Sequence, residues 1–257
     1  MRRPLVAMAL ATLLLSTPNA SHSSEAASRV VAERPSWYAP IIKDGKAFPV
    51  VLPADGRWLN WRDTYGAPRM RLEPDGVWRQ VGTHQGIDVY AEQGTPVVSI
   101  SDGVVENIGW TLYSGWRVGV RGSDGRYYFY AHLLQPFAPG IGGGSRVRAG
   151  DQLGLLGSSG YGEEGTVDEF PAHLHFGLQA AGGAWLNPHE MLRDLYLHSV
   201  STLREARRAE AELGKRRQSV AARAFGAAAP PNEAIAEQLT LIEREAARVR
   251  PKVFGGD

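Results

Sequence analysis

Trp116-Arg-Val-Gly-Val-Arg-Gly-Ser-Asp-Gly-Arg-Tyr-Tyr-Phe-Tyr-Ala-His-Leu133 decides the fold class of this chain. Its two arms, Trp116 to Val120 and Arg126 to Tyr130, are rich in the β-branched and aromatic residues that suit a pleated surface. Between them, Ser123-Asp124-Gly125 is a hairpin-turn signal. The segment reads as paired antiparallel strands, and its second arm runs directly into His132.

The same pattern extends outward on both sides. Val97 to Ile100, Gly103 to Ile108 and Gln152 to Gly157 are short apolar stretches separated by Gly- and Asp-containing turns. The expected fold is mainly β, an antiparallel sheet or sandwich core. A composition of 30 Gly and 16 Pro in 257 residues agrees with many turns, and that length suits one good core with appendages. The net charge of +1 gives no electrostatic argument for a nucleic-acid or anionic-membrane partner.

Both ends depart from this pattern. The start, Met1-Arg-Arg-Pro followed by an apolar run from Leu5 to Leu15, has the form of a signal peptide spanning residues 1–26. That run is too short for a bilayer, which needs about 20 residues. The alternative is an uncleaved anchor. Export makes the mature protein periplasmic or secreted, with no membrane association once the signal is removed. The absence of cysteine then leaves stability to the core and to a bound metal, without disulfides.

Residues 27–45 form a lead-in, residues 46–195 the β domain and residues 196–257 a helical extension. Within that extension Ser199 to Phe225 reads as a charged helix with a thin apolar stripe. After Pro230-Pro231, Asn232 is a candidate N-cap for a second helix carrying Ile235, Leu239, Ile242, Ala246 and Val249 on one face. The two predict a C-terminal α-helical hairpin that packs as an appendage or takes a protein partner.

The chemistry lies in four histidines and one aspartate: His84-Gln-Gly-Ile-Asp88, Tyr130-Ala-His132 and His173-Leu-His175. A hydrolytic zinc site takes three nitrogen or oxygen ligands and keeps a position for water. His84, Asp88 and His175 supply such a set. If Val81 to Asp88 is extended, His84 and Asp88 share a face, because side chains alternate with period two. The same alternation puts His173 and His175 on one face and Leu174 and Phe176 in the core. One ring of that pair can then bind metal while the other stands beside it as an acid or base. His22, His189 and His198 have no such company. Glu163, Glu164, Asp168 and Glu169 make the Ser158 to Ala172 loop strongly acidic. It reads either as a solvated loop or as a cleft rim favouring amine-bearing substrates.

These residues resemble the lysostaphin-type (LytM-type) zinc metallopeptidases, which cut peptide bonds in bacterial peptidoglycan. The resemblance runs through Tyr65-Gly-Ala-Pro-Arg69, His84 to Val89, Gly94 to Val97, Asp102 to Val105, Tyr130 to Leu133, Val147 to Asp151, Gly157 to Gly160, His173 to Phe176 and Asn187-Pro188. It implies an antiparallel β core of the duplicated-hybrid-motif kind with an open groove. It also implies Zn2+ held by His84, Asp88 and His175, with His132 and His173 as the two catalytic histidines. Which of these two is the base stays open, and the two-residue spacing of His173 to the ligand His175 favours His173. The implied activity is endopeptidase cleavage of cross-links or stem peptides. A catalytically silent cell-wall regulator is the alternative, and an inhibited precursor whose termini cover the groove is a third. Two departures bear on substrate preference: the long acidic loop, and Gly177 where the family commonly has glutamate.

Overall fold

The computed structural model describes residues 40–53, 59–226, 240, 241 and 244. The signal peptide lies outside them, as does all of the second C-terminal helix but Thr240, Leu241 and Arg244, which are helical. The hairpin of helices therefore reduces to one described arm. Among the described residues no helix is long and apolar enough to cross a membrane.

Ten strands form one antiparallel sheet. Its central run is β8 (Gly103–Thr111), β9 (Gly115–Gly122), β10 (Tyr127–Leu134), β13 (His173–Gln179), β6 (Ile87–Tyr90) and β3 (Asn60–Trp61), in that spatial order. β11 (Arg146–Val147) extends the β8 edge, and β14 (Trp185–Leu186) pairs with β13. β12 (Gln152–Leu156) joins β7 (Pro96–Val98) to the end of β10. Two short ribbons stand apart from the sheet: β1 (Ile42–Lys43) with β2 (Lys46–Ala47), and β4 (Pro68–Leu72) with β5 (Trp78–Thr83).

The predicted hairpin is β9–β10, with Val120 opposite Tyr128 and Val118 opposite Tyr130. Those four side chains are fully buried, together with Ile87, Val89, Leu174 and Phe176 from the neighbouring strands. Period-two alternation thus holds on β13: Leu174 and Phe176 enter the core, and His173 and His175 face the other way. Burying a Leu or Phe side chain contributes on the order of 1.5–3 kcal/mol each, so this face fixes the register that aligns the histidines.

Helix α1 runs from His189 to Gly226, so it begins ten residues before the expected start and crosses the 195/196 boundary. The cause is the Asn187-Pro188 step. The Asn187 side-chain oxygen accepts the His189 N–H, and Pro188 precedes the first turn without offering an N–H of its own. Leu192, Leu195, Tyr196 and Ser199 form the buried stripe, and the Tyr196 ring packs on Phe48 and Trp61. Phe48 and Val50, close behind the lead-in, belong to the main core.

Candidate metal centre and cleft

His84 does not share a strand with Asp88. β5 ends at Thr83 and β6 begins at Ile87, so His84 sits on the link between them rather than within one extended segment. The Tyr65-Gly-Ala region holds it there. His84 N–H donates to the Ala67 carbonyl, the His84 carbonyl accepts from Gly66 N–H, and ring Nδ1 donates to the Thr64 carbonyl at 3.0 Å. That last bond places the ring proton on Nδ1 and leaves Nε2 as a bare lone pair.

Asp88 and His175 are direct cross-strand partners on β6 and β13. His84 Nε2 lies 2.8 Å from His175 Nδ1 and 3.1 Å from Asp88 Oδ1, and His175 Nδ1 lies 3.0 Å from the same oxygen. Two imidazole nitrogens and a carboxylate oxygen thus converge on one point. Zinc at 2.0–2.1 Å from tetrahedral ligands separates them by roughly 3.3 Å, so the donor set fits that ion in type and spacing. Burial opposes charge on Asp88, yet the His175 and His84 rings beside it hold its carboxyl well below the usual range. Burial also lowers the His175 pKa, which favours the neutral, ligating form.

Two glycines make room for this cluster. A Cβ on Gly86 would lie 2.5 Å from the Phe176 carbonyl oxygen and 2.7 Å from His175 Cε1, so the His175 ring rests where a side chain would be. A Cβ on Gly177 would meet the Trp185 ring at 2.7 Å. The space a glutamate would need there is filled by Trp185, which also stacks edge-on against Phe129.

His132 reaches the cleft by a different route. By alternation it belongs with Tyr128 and Tyr130 in the core, but the β9–β10 register shifts between Tyr130 and Leu133, and His132 takes φ +62°. A bulge with one residue in the left-handed region re-aims its side chain, a device found beside active sites. Leu133 then returns to the core, and the His132 ring packs 4.8 Å from His173 and 4.6 Å from Phe170. Ser159 clamps the bulge. Its carbonyl accepts His132 Nδ1–H at 2.7 Å, while its hydroxyl donates to the Leu133 carbonyl and accepts Trp116 N–H.

His173 is oriented in the same way, with Nδ1 donating to the Pro171 carbonyl at 2.8 Å and Nε2 standing 3.7 Å from Asp88 Oδ1. Both free Nε2 atoms are therefore proton acceptors. Burial, reinforced by His173, pushes His132 down to about 3, and burial lowers His173 as well. Both rings are neutral at pH 7.

A cavity of about 380 Å³ opens over Asp88, His132 and His173, lined further by Arg69, Tyr90, Tyr161, Glu169 and Phe170. Such a volume falls within the usual range for ligand clefts. Of the four acidic residues in the loop only Glu169 lines this space; Asp168 instead accepts a hydrogen bond from Ser158, while Glu163 and Glu164 are exposed. Arg69, Tyr90, Tyr161 and Phe170 were not legible as cleft residues, since they come from three different segments that only the fold brings together.

Residues 82–188 match the model of peptidase family M23, and that span contains all five site residues. Residues 82–188 are a peptidase family M23 region. The M23 region is similar to the L-Ala–D-Glu endopeptidase of Bacillus subtilis, 38% identical over 151 residues, covering 57% of this chain and 43% of that protein. It is also similar to the glycyl-glycine endopeptidase ALE-1 of Staphylococcus capitis, 37% identical over 122 residues, covering 46% of this chain and 30% of that one. Among solved structures, lytM from Ruminococcus gnavus matches with a TM-score of 0.50 and 37% identity, covering 61% of this chain and 62% of that chain. The chain spans less than half the length of these curated relatives.

Proposed function

We propose that this M23 protein is a zinc-dependent endopeptidase that hydrolyses peptide bonds in bacterial peptidoglycan. The observation that carries the reading is the convergence of His84 Nε2, Asp88 Oδ1 and His175 Nδ1, all within 4.8 Å of one another, at the floor of a cleft lined by two further neutral histidines. Zinc in that set would supply a Lewis acid and a water activated near neutral pH.

The protein's own groups divide the remaining work. His173 is assigned as the base, because its acceptor Nε2 is close to the ligand set, 3.7 Å from Asp88 Oδ1. His132, held by Ser159 with its ring 4.8 Å from that of His173, orients the reacting groups and shares the proton. With Nδ1–H committed to a backbone carbonyl, either ring becomes an acid only after it has taken the water's proton, which it then returns to the leaving amine. Tyr90, Tyr161 and Phe170 wall the cleft and limit the access of bulk water to these transfers.

The relatives act on different bonds, L-Ala–D-Glu in one and glycyl-glycine in the other. Membership of the family therefore leaves the bond open, and the cleft walls decide it. The wider architecture follows the same reading: a signal peptide over residues 1–26 and a lead-in over 27–45 precede the peptidase domain of 46–195. The extension of 196–257 is the surface on offer to a protein partner. Peptidoglycan as substrate places the mature chain in the periplasm or outside the cell. The complete ligand set speaks against the silent-regulator alternative.

The test is release of soluble muropeptides from purified peptidoglycan by the zinc-loaded mature protein. Digestion that stops on chelation is expected. No release by metal-loaded protein, with its termini trimmed, would overturn the assignment.

A further inference from the structure

Arg69 has no part in the chemistry described above, yet it lines the same cleft. It stands on β4, where the register slips between Arg69 and Met70, and its partner across the ribbon is Gly82, which has no side chain to compete for the space. Among the described residues its one ion-pair partner is Asp88, at 3.8 Å from Oδ2, too far for a hydrogen bond. The Asp88 oxygen that faces the histidines is the other one, Oδ1. The Arg69 side chain is 42% exposed, so its planar fork of donors is directed at the cleft with its hydrogen-bonding capacity unspent.

A guanidinium in this position is suited to a carboxylate, which it can hold with two parallel hydrogen bonds. Neutralisation of Asp88 by a bound cation would leave Arg69 still more in need of an anion. The loop of residues 157–172 contributes the opposite charge, Glu169, beside Phe170 and the His132 ring. A peptide carrying a carboxylate is thus drawn to the Arg69 wall and repelled from the Glu169 wall, which sets its direction across the two catalytic histidines.

We infer that Arg69 is a specificity residue that pairs with a free carboxylate next to the scissile amide, so that the enzyme prefers acidic peptide stems over uncharged glycine bridges. The inference rests on the peptidase reading of the cleft. It is tested with two synthetic peptides containing an Ala–D-Glu amide, one with its remaining carboxyl free and the other with that group as a carboxamide. Dissociation constants are measured on zinc-loaded and metal-free protein, and kcat and KM on the zinc-loaded form, for the wild type, Arg69→Gln and Arg69→Lys.

The wild type should favour the carboxylate peptide by about 10- to 100-fold, mostly through binding, the range of one charge-assisted pair. Arg69→Gln should bring the two peptides to within about threefold by the same measure, with Arg69→Lys between, since lysine keeps the charge and loses the fork. All three proteins should keep their zinc. No preference in the wild type, or the same preference in Arg69→Gln, overturns the inference. So does an Arg69→Gln protein that loses zinc and falls equally for both peptides, since Arg69 would then only steady Asp88. If intact peptidoglycan is not cleaved the peptidase reading fails, while the paired dissociation constants still decide the role of Arg69.

Discussion

Asp88 Oδ1 lies 3.0 Å from His175 Nδ1 because the two residues are directly opposed on β6 and β13. Two ligands of the candidate centre are therefore locked by one backbone ladder, and the third, His84, is brought up by its bonds to Thr64, Gly66 and Ala67. Removal of any one should abolish stable metal binding. His175→Ala and Asp88→Asn are each expected to fall well below one equivalent of zinc by elemental analysis, whereas the wild type holds about one. Chelation should lower the wild-type Tm and leave that of His175→Ala unmoved, since only a ligand bound to the native state stabilises it.

His132 calls for a different substitution. Its φ of +62° is tolerated best by Gly and Asn, and its Nδ1–H serves the Ser159 carbonyl. His132→Asn meets both demands, because the Asn amide can replace the Nδ1 donor. We expect normal zinc content, a Tm within a few degrees of wild type and a fall in kcat of at least 100-fold. Equal zinc loss in His132→Asn and His175→Ala would show that ligand and catalyst have been exchanged.

Gly86→Ala tests the packing under the centre. The added Cβ would meet backbone at 2.5 Å and the His175 ring at 2.7 Å, and the carbonyl cannot swing aside as a side chain tip would. Overpacking of this kind costs roughly 1–3 kcal/mol. A lower denaturant midpoint together with at least tenfold weaker zinc binding is expected. Wild-type affinity in a well-folded Gly86→Ala protein would mean that the His175 ring does not rest on that glycine.

Ser159→Ala should act through the clamp. The carbonyl that holds His132 survives, but the half-buried Trp116 N–H and the buried Leu133 carbonyl both lose their side-chain partner. Unsatisfied buried groups cost about 1–3 kcal/mol, so a drop of several degrees in Tm is expected. Because His132 is then less firmly held, kcat should fall more than KM changes.

The buried histidines give a pH signature in the metal-free protein. Burial and His173 push His132 down to about 3, well below its ordinary unfolded value near 6.5. The unfolded chain therefore binds more protons between those values, and the stability contributed above about pH 6.5 is lost as pH falls toward 3. For His132 alone the loss at pH 5 is about 2 kcal/mol. Urea midpoints of metal-free protein should drop between pH 7 and 5, and His132→Asn should flatten that slope. A slope identical in the two proteins would show that His132 is not held neutral.

The parts of the fold that follow a strict apolar alternation were legible from sequence. Leu174 and Phe176 enter the core as expected, and so set His173 and His175 on the outer face; the β9–β10 hairpin lies where Ser123-Asp124-Gly125 puts it. Where the period breaks, the reading fails. His132 escapes from the parity of Tyr128 and Tyr130 through a bulge that no residue type announces. The β4–β5 ribbon is exposed on both faces, with Met70, Leu72, Trp78 and Val81 all solvent-accessible, so its sequence has no buried stripe to reveal it. The early start of α1 did have a local signal, since Asn187-Pro188 is a capping step, but the charged, thinly striped stretch beyond Ser199 is the longer helical pattern.

The base of the 157–172 loop is tied three times: Gly157 carbonyl to His173 N–H, Ser158 to Asp168, and Ser159 to the bulge. Ser159 and Pro171, which orient the two cleft histidines, lie at or below these ties together with Glu169 and Phe170, while residues 160–167, with Tyr161 on the cleft wall, form the crown above them. The loop is in effect an interchangeable cassette. Its crown can be shortened, recharged or exchanged while the histidine cluster beneath stays in alignment, which makes it the natural place to alter what the cleft accepts.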